Sequence, residues 1–460
     1  MTRPLKTLTF SKESNRTPIG VLEHLNVKQI LPPYVYHEKA PIFTVQKAEP
    51  EKREGKSLHK YHIDLPLDHA LSEYHNLGSF AQHDQSVAQA FGLDMKAVTL
   101  TVWSEKELDL TDMQSFRDAL QYKQTGNFAT LFGSGYLATP EQLDRQSSFV
   151  EAFSKSMHRK NNHTTFNNVI IGYSCLGFEG SETVNEPTKD SIGVVTYERL
   201  KEALLYVLSP DRAALVGHSA GGAATMYFVH EMLNGPTATE IEKNPVRQHL
   251  YDVIRKIPVA PVALHPALNK KSSWQFATMK DLNQLKFWVG LDEENMAEFR
   301  KNWPRVGKFA PDDFATRKVV KIALGLNPWT TGTQDEEDQV TLHCDMLARF
   351  PHAGYAKLHD LFVPHERGDV TTKKTAILTG ELDRITMIQQ ILSGIESTRQ
   401  SNERDGKVKK VALDERKKQI LREAQIINIQ PTHHDQFCYD PKWTRYYADY
   451  VADNVIRLVT

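Results

Sequence analysis

Gly217-His218-Ser219-Ala220-Gly221 lies between RAALVG (Arg212–Gly217), an unbroken apolar run with the character of a buried strand, and GAATMYFVHEML (Gly222–Leu233), a run with helical character. A serine between a strand and a helix, with glycines two residues away on either side, is the context of a nucleophile elbow. Its backbone must take strained angles, and side chains larger than hydrogen at 217 and 221 would collide with the strand or the helix. The turn exposes the Ser219 hydroxyl. It also aims the N–H of Ala220, at the positive end of the following helix, toward a developing oxyanion.

Around this turn the chain alternates strands and helices. NFATLF (Asn127–Phe132), VIIGYS (Val169–Ser174), IPVAPVALHP (Ile257–Pro266), TAILTG (Thr375–Gly380) and AQIINI (Ala424–Ile429) are apolar or β-branched runs of strand length. TYERLKEALLYVL (Thr196–Leu208) places Leu200, Leu204, Val207 and Leu208 on one helical face. Strands that are apolar throughout, joined by helices, imply a mostly parallel sheet covered on both faces. YHIDLPL (Tyr61–Leu67) and AVTLTVW (Ala97–Trp103) have no clear helix between them and fit an antiparallel pair at the start of the sheet.

These runs divide the chain. Residues 1–58, with Pro32, Pro33 and the charged KAEPEKREGK, read as an irregular extension. Residues 59–268 and 366–460 form the α/β core. Residues 269–365 are far more than a crossover needs and read as a largely helical cap. The mixed charges of Asn402–Lys418 read as a solvated helix or loop.

A serine hydroxyl needs a base, and the base needs an orienting acid. Behind a nucleophile elbow the chain order is serine, acid, histidine. Asp383 follows the strand ending at Gly380, with Glu381 as the alternative. His433 and His434 follow the last strand, and either can serve as base. A second oxyanion donor is expected from a backbone N–H in FGSGY, at Ser134 or Tyr136.

Composition limits the alternatives. The 460 residues carry 56 Lys+Arg against 57 Asp+Glu, a net charge of −1. That balance lacks the basic footprint of a nucleic-acid binder. Three cysteines without a CxxC pair suggest neither a disulfide framework nor zinc. The N-terminus has no apolar secretory core, and no run is long enough to span a membrane. A cytoplasmic location is therefore expected.

From Tyr61 onward the chain resembles the α/β-hydrolase superfamily, through FGSGY, YSCLGFEGS, LVGHSAGG, LTGELD and THHDQF in order. THHDQF resembles the H-D-x-F around the catalytic histidine of some members, which favours His434. HIDLPLDHA (His62–Ala70) is similar to the opening of the larger proline iminopeptidases, although Gly133-Ser134-Gly135 replaces their Gly-Gly-Pro-Gly loop. The resemblance implies an α/β-hydrolase fold and a serine hydrolase with Ser219, Asp383 and His434, working without a metal or organic cofactor. Substrates are expected to be small esters, amides or short peptides. Ester hydrolysis is the first expectation. An aminopeptidase is the second, and would need a cap acid such as Asp292, Glu293, Glu294, Glu298 or one of Asp335–Asp338. A non-catalytic binding or signalling protein on the same fold is the third.

Overall fold

The computed structural model describes residues 43–47, 57–74, 85–135 except 94, 138–160 except 145–146, 167–174, 194–267, 375–383 and 427–459, with scattered positions between 317 and 341. The cap expected over 269–365 lies mostly outside these residues. GFEGS, Cys175, Tyr136 and Asn402–Lys418 lie wholly outside them.

Among the described residues, nine strands form one sheet in the order β1-β2-β3-β5-β4-β6-β7-β8-β9. They are β1 (Thr44–Lys47), β2 (His59–Pro66), β3 (Ala97–Ser104), β4 (Asn127–Gly133), β5 (Asn167–Tyr173), β6 (Ala213–His218), β7 (Val259–Leu264), β8 (Ala376–Gly380) and β9 (Ile427–Gln430). β2 and β3 form the antiparallel pair that their sequences suggested, with Tyr61 opposite Val102. β3 is also antiparallel to β5. From β5 across to β9 every pairing is parallel. Within the segment read as irregular, Thr44–Lys47 adds an antiparallel edge strand to β2.

Five longer helices concern the site: α1 (Phe149–Lys160), α2 (Val194–Leu208), α3 (Ala220–Asn234), α4 (Arg247–Ile254) and α5 (Pro441–Val459). β4 to β7 are buried at every position, which explains why their sequences are apolar throughout. Their side chains nevertheless alternate between the faces. Leu131, Leu215 and Ala263 join Leu200, Leu204, Ala223 and Tyr227 of α2 and α3 in one core. Phe132, Val216 and Val262 join Phe153 of α1 and Val451 and Val455 of α5 in the other. Each fully buried side chain of this size contributes about 1.5–3 kcal/mol from burial, so two covered faces hold the sheet firmly.

Helix boundaries follow local chemistry. α3 ends at Gly235, whose φ of 76° suits a residue without a Cβ, and whose N–H closes onto the Glu231 carbonyl at 2.8 Å. α5 opens with Pro441, where a missing N–H costs no helical bond. Its Tyr447, Val451 and Val455, spaced by four, are all fully buried. This mostly parallel sheet, helix-covered on both faces and carrying a strand–serine–helix turn, is the α/β-hydrolase architecture that the sequence implied. The parallel strands present their carboxyl ends along one edge, the usual place for a ligand site in α/β sheets.

Candidate active site

Five of those carboxyl ends supply the site: β4, β6, β7, β8 and β9. Ser219 follows β6 and precedes α3 with φ 54° and ψ −113°, a strained conformation for a residue with a side chain. The strain is held by its surroundings. The Ser219 N–H donates to the Leu264 carbonyl at 2.9 Å, and its own carbonyl accepts from Ala223 and Ala267 at 3.0 Å each. A Cβ at 217 would lie 2.0 Å from the Gly221 carbonyl oxygen, and one at 221 would lie 2.1 Å from that of Gly133. Both glycines are therefore required by close backbone approach, as the elbow reading demands. Ala220 is the first residue of α3, so its N–H is among those that a helix leaves without an internal acceptor.

Beyond β8, Asp383 is buried, with its Oδ2 accepting from His434 Nδ1 at 2.9 Å. The same oxygen accepts from His265 Nδ1 at 2.6 Å. Burial alone would push the Asp383 carboxyl up. The charge of His434 and the hydrogen bonds from His265 and His434 outweigh it and hold Asp383 well below the usual carboxylate range. Asp383 is thus an anion that accepts from two imidazoles. Each Nδ1 then carries the proton, which leaves Nε2 of His434 as an acceptor, a tautomer assigned from the hydrogen-bond network. The alternative acid, Glu381, is exposed. His433 is half-buried, and its N–H donates to the Gln436 side chain at 3.2 Å. Of the two pairs of alternatives, the structure joins Asp383 to His434.

His218, between the glycine and the serine of the elbow, donates from Nε2 to the carbonyl of His434 at 3.1 Å, with Asp435 Oδ1 at 3.4 Å. Burial, followed by the charges of His434 and His265, pushes its pKa well down, so it is a neutral donor holding the main chain of His434.

The loop after β4 lies against the elbow. A Cβ at Gly135 would stand 3.1 Å from that of Ser219. The Ser134 N–H donates to the Tyr173 carbonyl at 3.0 Å, so it is already engaged within the sheet. Its carbonyl accepts from the Tyr197 hydroxyl at 2.8 Å. The Ser134 hydroxyl is buried with no hydrogen-bond partner among the described residues.

Two sets of side chains bring three possible metal-ligand atoms within 4.8 Å: His265, Asp383 and His434, and His218, His434 and Asp435. Ligand atoms on a tetrahedral zinc, each about 2.1 Å from the ion, stand about 3.4 Å apart. The 2.6 and 2.9 Å separations around Asp383 are instead hydrogen bonds with a proton between the atoms. In the second set His218 Nε2 is turned to a carbonyl.

Sequence reasoning missed His265. The available signal was a histidine ending an apolar strand at the ligand-bearing edge of the sheet. Among the cap acids, Glu336 accepts from the Thr333 N–H at 2.7 Å. Glu337 pairs with Lys321 and Arg317. Burial would raise the Glu337 carboxyl, yet Lys321, the Gly332 N–H and Arg317 hold it down at about 2. Asp335, Asp338 and the acids at 292–298 lie outside the described residues. Among those residues no helix is long and apolar enough to cross a membrane.

No family model and no curated protein matches the chain. Solved structures of similar fold include an α/β hydrolase enzyme from a Medee basin deep-sea metagenome library. It is 15% identical, with 78% of this chain and 94% of that one covered and a TM-score of 0.37. Est1E from Butyrivibrio proteoclasticus bound to ferulic acid is 10% identical, with 80% and 98% covered and a TM-score of 0.36. A membrane phospholipase A described as a bacterial virulence factor is 11% identical, with 80% and 88% covered and a TM-score of 0.35. Likeness at this level says nothing about chemistry.

Proposed function

We propose that the chain is a serine hydrolase that cleaves a carboxylic ester or a related small amide through an acyl-enzyme intermediate. The observation that carries the reading is the joining of Asp383 to His434 Nδ1 at 2.9 Å, on the same sheet edge as a strained, glycine-flanked Ser219. A protein that only binds ligands has no need of a buried anion orienting an imidazole on the sheet edge that also carries such a serine.

Ser219 Oγ attacks the carbonyl carbon, and its proton passes to His434 Nε2. Asp383 stabilises the imidazolium that forms. The tetrahedral oxyanion is met by the N–H of Ala220 and by a second backbone N–H from FGSGY after β4. Removing one such donor typically costs about 3 kcal/mol. Collapse expels the alcohol or amine with the proton held by His434. Water then attacks the acyl-enzyme by the same route, and its proton returns through His434 to Ser219. The water-derived hydroxyl leaves with the acid.

Ester hydrolysis is the first reading and aminopeptidase activity the second; of the cap acids, Glu336 and Glu337 are already engaged. The test is turnover of p-nitrophenyl acyl esters of increasing chain length beside prolyl amides, with Ser219→Ala as control. Ester turnover that disappears in the variant is expected. Turnover of prolyl amides alone would establish the aminopeptidase, and turnover of neither class would favour the non-catalytic reading.

A further inference from the structure

We propose that His265 is a positioning residue for the Asp383–His434 pair, anchored through Tyr447 and Thr432, and that it holds the carboxylate in the orientation the base requires. The kinetic consequence rests on the serine-hydrolase reading; the structural one rests on geometry alone.

His265 stands immediately beyond β7 with φ 45°, in the left-handed region that a residue with a Cβ adopts only when held there. Its N–H donates to the Leu378 carbonyl of β8 at 2.7 Å. Its ring reaches Asp383 Oδ2 through Nδ1 at 2.6 Å and the Tyr447 hydroxyl through Nε2 at 2.7 Å. The tyrosine and imidazole rings are stacked, 5.6 Å apart and 6° from parallel. The Tyr447 hydroxyl lies 2.7 Å from Thr432 Oγ1. Gly380 permits this packing, since a Cβ there would fall 2.9 Å from His265 Cε1 and 2.1 Å from the Thr432 carbonyl oxygen.

Burial lowers the pKa of His265, and with that ring neutral one arrangement of protons satisfies the whole chain of contacts. Asp383 is charged and only accepts, so His265 donates from Nδ1. Its Nε2 must then accept, so Tyr447 donates to it, and Thr432 donates to the tyrosine oxygen. His265, Tyr447 and Thr432 are all fully buried. The carboxylate is therefore tied to β7 through His265 and to α5 through Tyr447, and it also accepts from the proposed base.

Two effects follow. The first is geometric: Asp383 loses one of the hydrogen bonds that fix its rotamer, and small misplacements of a catalytic group are costly. The second is electrostatic: a donor on Oδ2 draws charge from the carboxylate and moderates its stabilisation of the His434 imidazolium. The titratable groups facing the His265 ring are Asp383, His434, His433, Tyr447 and His218, the last with its ring centre 6.0 Å away. Loss of His265 therefore lowers kcat and raises the acid-limb pKa of kcat, because an unmoderated carboxylate favours the protonated base.

The experiment follows p-nitrophenyl acetate turnover against pH for wild type, His265→Ala, His265→Asn and Tyr447→Phe, with thermal melts and proton NMR of the low-field imidazole N–H signals. Asparagine tolerates the positive φ and offers an amide donor where Nδ1 stood. His265→Ala should lower kcat about 10- to 100-fold with KM little changed, and shift the acid limb upward. His265→Asn should recover most of that loss, and Tyr447→Phe should move both quantities in the same direction by less. Wild type should give two low-field imidazole signals, of which His265→Ala removes one and shifts the other. Unchanged kcat and acid limb in His265→Ala would overturn the proposal. Equal impairment in the alanine and asparagine variants with an unmoved acid limb would also overturn it, by showing that the ring only fills space. If the alanine variant does not fold, Tyr447→Phe decides by the same criteria. If wild type neither turns over esters nor labels with a fluorophosphonate, the hydrolase reading fails. The NMR signals then decide the clamp alone, and a single signal in wild type would refute it.

Discussion

Replacing Asp383 with asparagine removes one charge while retaining size and an oxygen acceptor. The amide oxygen can stand where Oδ2 stands and still accept from His265 and His434, so the fold should survive. What is lost is the pairing of a carboxylate with the imidazolium that forms on His434. At a charge separation of about 4 Å and an effective dielectric of about 20, that attraction is worth about 4 kcal/mol. At 1.36 kcal/mol per decade, kcat should fall about a thousandfold. Ester turnover at pH 7–8 measures this directly. Stability should change too. The folded Asp383 carboxyl is depressed, so it stabilises the wild type above about pH 4, the unfolded value. That stabilisation is lost as pH falls through the folded value. Melts should therefore show Asp383→Asn less stable than wild type at pH 7 and the gap closing in acid. A variant retaining more than a tenth of wild-type turnover, or a stability gap independent of pH, would refute the reasoning.

Gly221→Ala should fail at the elbow, because its Cβ would stand 2.1 Å from the Gly133 carbonyl and two buried backbones would have to separate. A lower melting temperature with lost ester turnover is expected, at a cost of about 3 kcal/mol or more, and wild-type values for both would contradict it. Ser134→Ala keeps the N–H bond to Tyr173 and removes a hydroxyl unpartnered among the described residues. Turnover within about threefold of wild type and unchanged or higher stability are expected, whereas a loss of tenfold or more would put that hydroxyl in the chemistry. Lys201 of α2 is fully buried against Thr225, and burial lowers its pKa to about 7 despite Glu198. The unfolded chain binds its proton up to about pH 10, so wild-type stability should rise between about pH 7 and 9.5. Lys201→Met should flatten that rise in chemical denaturation, and an unchanged slope would remove Lys201 as its source.

The elbow was legible in the sequence because its constraints are local. A serine turned sharply between β6 and α3 requires hydrogen at 217 and 221, and in the structure a Cβ at either position would collide with backbone. The strands β4 to β8 were legible because burial on both faces gives short apolar, partly β-branched runs of strand length. Thr44–Lys47 was not, since four residues with a mainly exposed pattern become a strand only through pairing with β2. The place of β5 between β3 and β4 was not legible either, because it depends on pairings between distant segments. α5 carries a legible stripe at Tyr447, Val451 and Val455, spaced by four. At the site, Asp383 and His434 were marked by their positions after strands. His265 was hidden because it ends an apolar strand and looks like part of it. Its role depends on Asp383, 118 residues away in the chain, a proximity that only the register of β7 against β8 creates. The engagement of the Ser134 N–H with a carbonyl from a neighbouring strand was hidden for the same reason.

The most direct test of the central claim is fluorophosphonate labelling of the purified chain, with the adduct located by peptide mass spectrometry in wild type, Ser219→Ala, His434→Ala and His433→Ala. The predicted result is a single adduct on Ser219 in wild type, retained in His433→Ala and lost in both Ser219→Ala and His434→Ala. A folded wild type that takes no label, an adduct on another residue, or label retained in His434→Ala would contradict it.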